Sequence, residues 1–398
     1  MQISYLTFGC KLNQAETDSL RRALENFGYQ TVDFDSGENV CIIRACAVTC
    51  GASSTTREHI RRAKRQGSHV IVAGCLENKE LSEIDFVGQT NEMIIEHLLE
   101  NFYPQSQVSK CRTLSVDKTR AFVKIQTGCN FQCAYCIIPS FRGKSISRKT
   151  EEIITELKML EKQGYKEAVL TGVNICQYQD GPDKLADLLA EILKKTKIPR
   201  FRLGSLDPRL IDDKLIKIYK NPRLLPHWHL SLQSGSDNVL NLMRRGYGTA
   251  TYKKIVDKVR TFYPDFSFTT DIIVGFPGET ENDFQETLDF VKKIQFTKVH
   301  IFPFSPRPNT PAKDMKPAVQ DKIKTERVKI LTDQTYKTAQ KFAKNFYGQN
   351  KKVLFEQKKS GYWFGYSPEY FKIKIKANKN LHNKIITVKL SEKNLIIE

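Results

Sequence analysis

Short apolar runs alternate with amphipathic stretches from the first residues onward. Ile3–Phe8, Val40–Ala45 and Val70–Ala73 have the length and composition of buried strands, while Glu16–Phe27 and Thr56–Arg65 space their apolar positions at helical intervals. Strands alternating with helices predict a parallel sheet covered by helices. A polar stretch, Pro104–Asp117, reads as a linker. The rhythm then resumes with strands at Phe122–Thr127, Glu167–Thr171, Arg200–Leu203, His227–Leu232, Ser267–Val274 and Lys298–Phe302. Helices at Glu151–Gln163, Lys184–Lys195, Thr251–Phe262 and Asn282–Ile294 fall between them. This pattern predicts a partial (β/α) barrel of six units, whose working groups belong on the loops after the strands. Prolines 303, 306, 308, 311 and 317 end the pattern. A last helix follows at Val319–Asn345, and the tail (Lys352–Glu356, Tyr362–Tyr366, Phe371–Ile375, Ile385–Leu390) predicts a small β-barrel. The fold class is therefore α/β with three domains: 1–113, 114–345 and 346–398.

A length of 398 residues agrees with two or three domains, and 40% hydrophobic residues suffice for packed cores. No apolar run approaches the roughly 18 residues of a membrane span. The start, Met1-Gln2-Ile3-Ser4-Tyr5, lacks the basic flank of a signal peptide, so a cytoplasmic protein with no membrane partner is expected. Charge adds a direction. Residues 1–113 are net −2, residues 114–340 net +12, and residues 341–398, with 13 lysines and no arginine, net +9. A surplus growing toward the C-terminus suits a polyanion such as nucleic acid, with a solvated lysine face as the bland alternative. Tail aromatics Tyr362, Trp363, Phe364, Tyr366, Tyr370 and Phe371 among Lys358, Lys359, Lys372 and Lys374 suit base stacking with phosphate contact, although about half of them must fill the core.

Ten cysteines in a reducing compartment point to metal or redox chemistry rather than disulfides. Three of them, Cys10, Cys46 and Cys75, each follow a predicted strand of the first domain. Ligands gather beyond the carboxyl ends of strands in an open parallel sheet, so these three can converge from distant positions. A second triplet, Cys129, Cys133 and Cys136, lies on the loop after the first barrel strand in the spacing Cys-x3-Cys-x2-Cys. Three thiolates suit a 4Fe–4S cluster with one open iron; a zinc site borrowing a distant fourth ligand is the alternative.

The second triplet resembles the signature of radical S-adenosylmethionine enzymes, in which the open iron chelates the methionine part of the cofactor and one electron releases a 5′-deoxyadenosyl radical. The resemblance extends along nearly the whole chain. Gly9-Cys10-Lys11-Leu12-Asn13-Gln14, Ala45-Cys46-Ala47-Val48-Thr49 and Gly74-Cys75 resemble the cluster motifs of the methylthiotransferases, a branch with a second 4Fe–4S cluster on its N-terminal domain. Thr171-Gly172-Val173-Asn174, Leu232-Gln233-Ser234-Gly235-Ser236-Asp237, Thr270–Thr280 and Phe304-Ser305-Pro306-Arg307 are similar to its core motifs, and the tail resembles the RNA-binding TRAM module. Gly-Cys-Lys-x-Asn-Gln followed by Glu16-Thr17, together with Gly361–Ser367, resembles the subgroup acting on threonylcarbamoyladenosine in tRNA. The isopentenyladenosine subgroup more often reads Gly-Cys-Gln-Met-Asn, and the ribosomal-protein aspartate subgroup Gly-Cys-Pro-Lys-Asn. Three positions depart from the pattern: Arg44 where asparagine is common, Ser231 where proline is, and Asp207 where Glu-Pro is usual.

The resemblance implies a tRNA methylthiotransferase that places a methylthio group on carbon 2 of N6-threonylcarbamoyladenosine beside the anticodon. S-adenosylmethionine would serve as methyl donor and radical source. Cys129, Cys133 and Cys136 would hold the radical-generating cluster, and Cys10, Cys46 and Cys75 the cluster that handles sulfur. Gly172, Asn174, Ser205, Gln233 and Asp271, at or near the ends of barrel strands, are candidates for binding the cofactor. An external electron donor, a sulfur source and a monomeric protein are expected. The same chemistry on isopentenyladenosine or a ribosomal-protein aspartate, and a non-catalytic metal-stabilised RNA-binding protein, are the alternatives. Cys41, Cys50, Cys111 and Cys176 are left without a metal role, as are the seven histidines.

Overall fold

The structure, a computed structural model, describes residues 1–76, 81–102 and 119–397. The expected linker Pro104–Asp117 and Cys111 lie outside these residues. The first domain is a five-stranded parallel sheet in the order Gln30–Val32, Gln2–Thr7, Val40–Ala45, His69–Gly74, Phe86–Val87. All six residues of its central strand are buried, as a parallel strand covered on both faces requires. Alternate side chains serve opposite faces. Val40 and Ile42 pack with Leu20 and Leu24 of the helix Lys11–Asn26 and Ile94 and Leu98 of Asn91–Asn101. Cys41 and Ile43 pack with Ile60 and Ala63 of the helix Cys50–Arg65. Both longer helices begin five or six residues before the apolar periodicity does. Their first turns are set by caps: Cys10 is extended ahead of Lys11, and the Thr49 hydroxyl accepts from the Ala52 amide at 3.2 Å.

The core domain is a partial barrel of six strand positions. Arg120–Lys124, Glu167–Thr171 and Arg200–Leu203 form one parallel sheet; Ser205–Leu206, His227–Leu230, Ser267–Val274 and Lys298–Pro303 form the next. The third position, expected as one strand, is divided at Gly204 between the two sheets. The expected first strand also ends early, because Gln126–Thr127 turns away to pair with Ile146–Ser147.

The tail is an antiparallel five-stranded sheet whose core, including Val353, Phe355, Trp363, Phe371 and Ile373, is completed by Phe342 and Phe346 at the end of the last helix. It docks on the amino-terminal ends of the barrel strands. Arg200 donates to the carbonyls of Lys352 and Tyr366 at 2.8 and 3.1 Å, and Arg202 to those of Ser367 and Pro368 at 2.7 and 2.8 Å. Both guanidiniums also clasp the fully buried Glu167, at 2.7 and 2.9 Å. Burial raises the pKa of Glu167, but Arg202, Arg200 and Arg120 outweigh it and hold the carboxyl at about 2. Tyr370 stacks on His227 at 4.6 Å and on Tyr366 at 4.9 Å, so these two tyrosines serve domain docking rather than base stacking. Trp363 and Phe371 fill the core, which leaves Tyr362 and Phe364, flanked by Lys372, Lys374 and Lys376, as the outward aromatic–basic face.

Candidate active site

Three parallel strands of the first domain deliver Cys10, Cys46 and Cys75 to one place. The Phe8 amide donates to the Arg44 carbonyl at 3.0 Å and the Cys75 amide to the Ala45 carbonyl at 3.1 Å, which aligns the strand ends. The sulfurs are close enough to act on one another: Cys10 and Cys75 act on Cys46, and Cys10 acts on Cys75. Gly9 makes the approach possible. Its φ is +90°, and a Cβ there would stand 2.5 Å from the Cys46 sulfur. Cys46 and Cys75 are buried, Cys10 is exposed, and all three are free thiols.

Beside this triplet lies a buried ionic node. Glu16, on the first helix, accepts from Arg142 at 3.0 and 3.1 Å, Arg44 at 3.2 Å and Lys124 at 3.3 Å. Arg142, in the short helix after the second cysteine triplet, also donates to Asn13 at 2.7 Å, and while burial raises the Cys75 thiol, the Arg142 charge draws it down. One guanidinium thus joins the two domains near the Cys75 thiol. Arg44, a departure from the family pattern, is absorbed here, with Asn91 as its second acceptor at 2.6 Å. Burial works against ionisation of Glu16, but Arg142, Lys124 and Arg44 overcome it and hold its carboxyl at about 2 against an ordinary 4.5. A depressed carboxyl contributes stability that is complete above its unfolded pKa and lost as pH falls through the folded one. Urea midpoints should therefore fall between about pH 4.5 and about pH 2, and Glu16→Gln should start lower at pH 7 and fall less across that window. Parallel acid profiles of the two proteins would refute the role given to Glu16.

The second triplet lies on the loop after the first barrel strand. Gly128 has φ +72°, and a Cβ would fall 1.9 Å from the Lys144 carbonyl oxygen, so the loop doubles back only through glycine. The Cys129 amide donates to the Gly143 carbonyl at 3.0 Å, closing the loop. Its sulfur accepts from the Phe131 amide at 3.5 Å and the Gln177 amide group at 3.7 Å. The Cys133 sulfur accepts from Arg245 at 3.2 Å. Burial pushes the Cys136 thiol up to about 12, and also raises Cys129. Buried thiols of this kind become thiolates only when a metal replaces the proton, and N–H donors aimed at sulfur are what an iron–sulfur cluster's thiolates accept. The donor set of each triplet, three free thiols with such donors nearby, fits a 4Fe–4S cluster with one open iron.

The five positions considered for S-adenosylmethionine all lie at or near the ends of barrel strands. A Cβ at Gly172 would meet the backbone and side-chain oxygens of Gln126 at 2.7 Å, so this glycine serves loop packing. The backbone amide of the buried Asn174 donates to that same side-chain oxygen at 3.0 Å, while its own Oδ1 has no hydrogen-bond partner among the described residues. Ser205 pairs in register with His229. Gln233 holds φ +76°, a conformation that non-glycine residues rarely adopt, fixed by amide bonds to and from the strand ending at Val274. Asp271 accepts from His229 at 3.1 Å; burial would raise its pKa, but His229 and His300 bring it below the ordinary value.

Sequence reasoning missed Arg142, Arg245 and Gln177, because no local pattern ties a lone arginine or glutamine to a sulfur more than 40 residues away in the chain. Asp207, the second departure, accepts from Arg209 at 2.7 and 2.8 Å and from Arg245 at 3.4 Å, so it holds the arginine that reaches Cys133. Ser231, the third, donates its amide to the Leu206 carbonyl and accepts at its own carbonyl from Tyr247. Cys41 is a buried member of the sheet core, and the Cys176 sulfur accepts from the Asp207 amide. Cys50 faces the core domain, receiving Ser305 at 3.2 Å and Arg307 at 3.1 Å.

Comparison with known proteins agrees with this geometry. Residues 123–291 match the Radical SAM superfamily, and residues 2–95 match Uncharacterized protein family UPF0004. The chain is 38% identical to the threonylcarbamoyladenosine tRNA methylthiotransferase MtaB of Aquifex aeolicus, over 89% of this chain and 92% of that protein. It is likewise 38% identical to the MtaB of Thermotoga maritima, over 98% and 95%. A tRNA-2-methylthio-N(6)-dimethylallyladenosine synthase of Bacillus velezensis is 32% identical, over 97% and 82%. Among solved structures, the radical S-adenosylmethionine methyltransferase TsrM of Kitasatospora setae, with cobalamin and a 4Fe–4S cluster bound, shares the fold. It has a TM-score of 0.59 at 13% identity and covers 78% of this chain and 77% of its own. Two cysteine triplets on a parallel-sheet domain and a partial barrel, in a chain this similar to MtaB along nearly its full length, make it a member of the radical S-adenosylmethionine methylthiotransferase family.

Proposed function

We propose that this protein methylthiolates carbon 2 of N6-threonylcarbamoyladenosine in tRNA, using S-adenosylmethionine as methyl donor and radical source. The observation that carries the reading is a pair of cysteine triplets on domains joined by Arg142, which donates to Glu16 and Asn13 from the segment that follows Cys136. Cys129, Cys133 and Cys136 would hold one 4Fe–4S cluster, and Cys10, Cys46 and Cys75 the other. When bound, these groups supply the electron, the radical and the sulfur chemistry. The chain's own residues position them. Arg245 and Gln177 donate to the core thiolates, and Arg142 brings positive charge to the N-terminal set. The open oxygen of Asn174 and the strained Gln233 offer polar contacts for the cofactor, with Gly172 holding their loop close, and Ser205 and Asp271 face the same strand ends. No helix among the described residues is long and apolar enough to cross a membrane. We place the protein in the cytoplasm as a monomer that takes electrons and sulfur from external partners.

The decisive experiment is nucleoside mass spectrometry of tRNA from cells lacking the gene. The methylthio form of threonylcarbamoyladenosine should vanish while its precursor accumulates. Loss of methylthio-isopentenyladenosine instead would replace this reading with the other tRNA subgroup.

The tail's outward face gives a second, smaller test. Lysine acts as a point charge on phosphate, so Lys372, Lys374 and Lys376 beside Tyr362 and Phe364 should grip the RNA backbone with little base choice. Replacing all three lysines with glutamine should weaken tRNA binding and reduce its salt slope by about one unit for each phosphate no longer neutralised. An unchanged slope would make this face ordinary solvated surface.

A further inference from the structure

The interior of the barrel holds a cation that no part of the cluster chemistry uses. Lys11 is the first residue of the helix Lys11–Asn26, directly after the cluster cysteine Cys10. A positive charge in the first turn of a helix opposes the helix dipole, and this turn has no acidic residue to offset it. The side chain is half-buried and reaches across into the barrel. Its ammonium lies 5.8 Å from the centre of the Tyr370 ring, which is itself stacked on His227. Its charge is felt at Asp271 and His300, on the neighbouring strands.

The other charges of this interior are already satisfied. Arg202 is clasped by Glu167 and two tail carbonyls, and Arg120 by Glu356 at 2.5 Å. Asp271 is engaged by His229 at 3.1 Å. Lys11 forms no ion pair with any described residue. Beside it, the buried His227 presents an Nδ1 without a hydrogen-bond partner among the described residues, its Nε2 being taken by Thr269 at 3.0 Å. The Tyr370 ring, electron-rich on its face, serves the ammonium, while an ammonium with no ion pair beside an open ring nitrogen leaves room for an anionic group here.

We propose that Lys11 is the specificity residue of the enzyme and binds the threonine carboxylate of the substrate's threonylcarbamoyl group. The inference rests on the substrate class proposed above. Carbon 2 and the N6 substituent flank the same ring nitrogen of adenine. With its ammonium beside Tyr370 and His227, at the amino-terminal ends of the strands, Lys11 would hold the carboxylate deep in the barrel and leave carbon 2 directed toward the opposite, carboxyl ends. An isopentenyl group has no charge to offer Lys11, and burying the ammonium against it would leave the cation unpaired.

The test uses the reconstituted full-length protein and three anticodon stem-loop RNAs, carrying threonylcarbamoyladenosine, its methyl ester or isopentenyladenosine. Wild-type protein should bind the acid about 10-fold or more tighter than the ester, the loss expected when one charge-assisted contact is removed. Lys11→Met should bind acid and ester within about twofold of each other, and Lys11→Arg should keep the preference. Equal binding of acid and ester by the wild type, or a preference surviving in Lys11→Met, would overturn the assignment. The wild-type comparison needs no variant to fold. Mass spectrometry of the same reactions separates the two levels of inference. Methylthiolation of the isopentenyl RNA alone would remove the proposed substrate, whereas methylthiolation of acid and ester with equal efficiency would remove only the role of Lys11.

Discussion

Cys129→Ala, reconstituted anaerobically with iron and sulfide, should hold about half of the roughly eight irons of the wild type and release no 5′-deoxyadenosine. Cys46→Ala should lose the other half and still cleave S-adenosylmethionine, while making no methylthio product. The division follows from the architecture. Cys129 sits in a loop closed within the core domain by its own amide bond to Gly143, with Gln177 and Phe131 donating to its sulfur, and none of these residues belongs to the N-terminal domain. Cys46 is supported by Gly9 and by the parallel sheet. The measurements are iron and sulfide content and chromatographic detection of 5′-deoxyadenosine. If either substitution emptied both sites, or if Cys46→Ala stopped cofactor cleavage, the two sites would not be separable in this way.

Removal of residues 346–398 should destabilise the core domain itself, beyond weakening its hold on RNA. Arg200 and Arg202 would lose the carbonyls of Lys352, Tyr366, Ser367 and Pro368, and Arg120 would lose Glu356. Water would then enter around Glu167, a carboxylate now fully buried between two guanidiniums. Each lost hydrogen bond to a charged guanidinium is worth about 1.5–3 kcal/mol. The truncated protein is expected to unfold at markedly lower urea concentration and to lose cofactor cleavage with it. The triple lysine-to-glutamine variant, in which the docking surface is untouched, should keep the full midpoint. Equal midpoints for the truncated and complete chains would show that docking contributes little.

These contacts also mark how far the sequence could be read. Strands buried along nearly their whole length were legible almost to the residue: Val40–Ala45, Glu167–Thr171 and Ser267–Val274 appear with their expected limits. The edge strand Gln30–Val32, largely exposed, and the helix Asn91–Asn101 carry too little apolar contrast to announce themselves. The division at Gly204 was invisible because apolar and polar residues continue across it. Both cysteine triplets were legible, one by spacing and the other by the rule that ligands collect at strand ends. Their surroundings were not. Glu16 with Arg142 and Arg245 with Cys133 join positions more than 100 residues apart, and only the folded chain brings them together. Tyr366 and Tyr370 had the composition of an RNA face, yet the stacking that uses them is with His227 and each other.

The bonds from Arg142 to Glu16 and Asn13, beside Cys75, have a consequence for how the protein is made. Synthesis proceeds from the N-terminus, so Cys10, Cys46 and Cys75 leave the ribosome long before Arg142 does. During that interval neither Glu16 nor the Asn13 Oδ1 has Arg142 as a partner, and only Arg44 brings positive charge toward the Cys75 sulfur. The N-terminal triplet is then three thiols on a sheet whose site is incomplete. The charge environment of this triplet is complete only once the core domain has closed over the first helix, so stable iron loading of the N-terminal site is expected after translation, and residues 1–113 alone should hold iron less firmly than the whole chain.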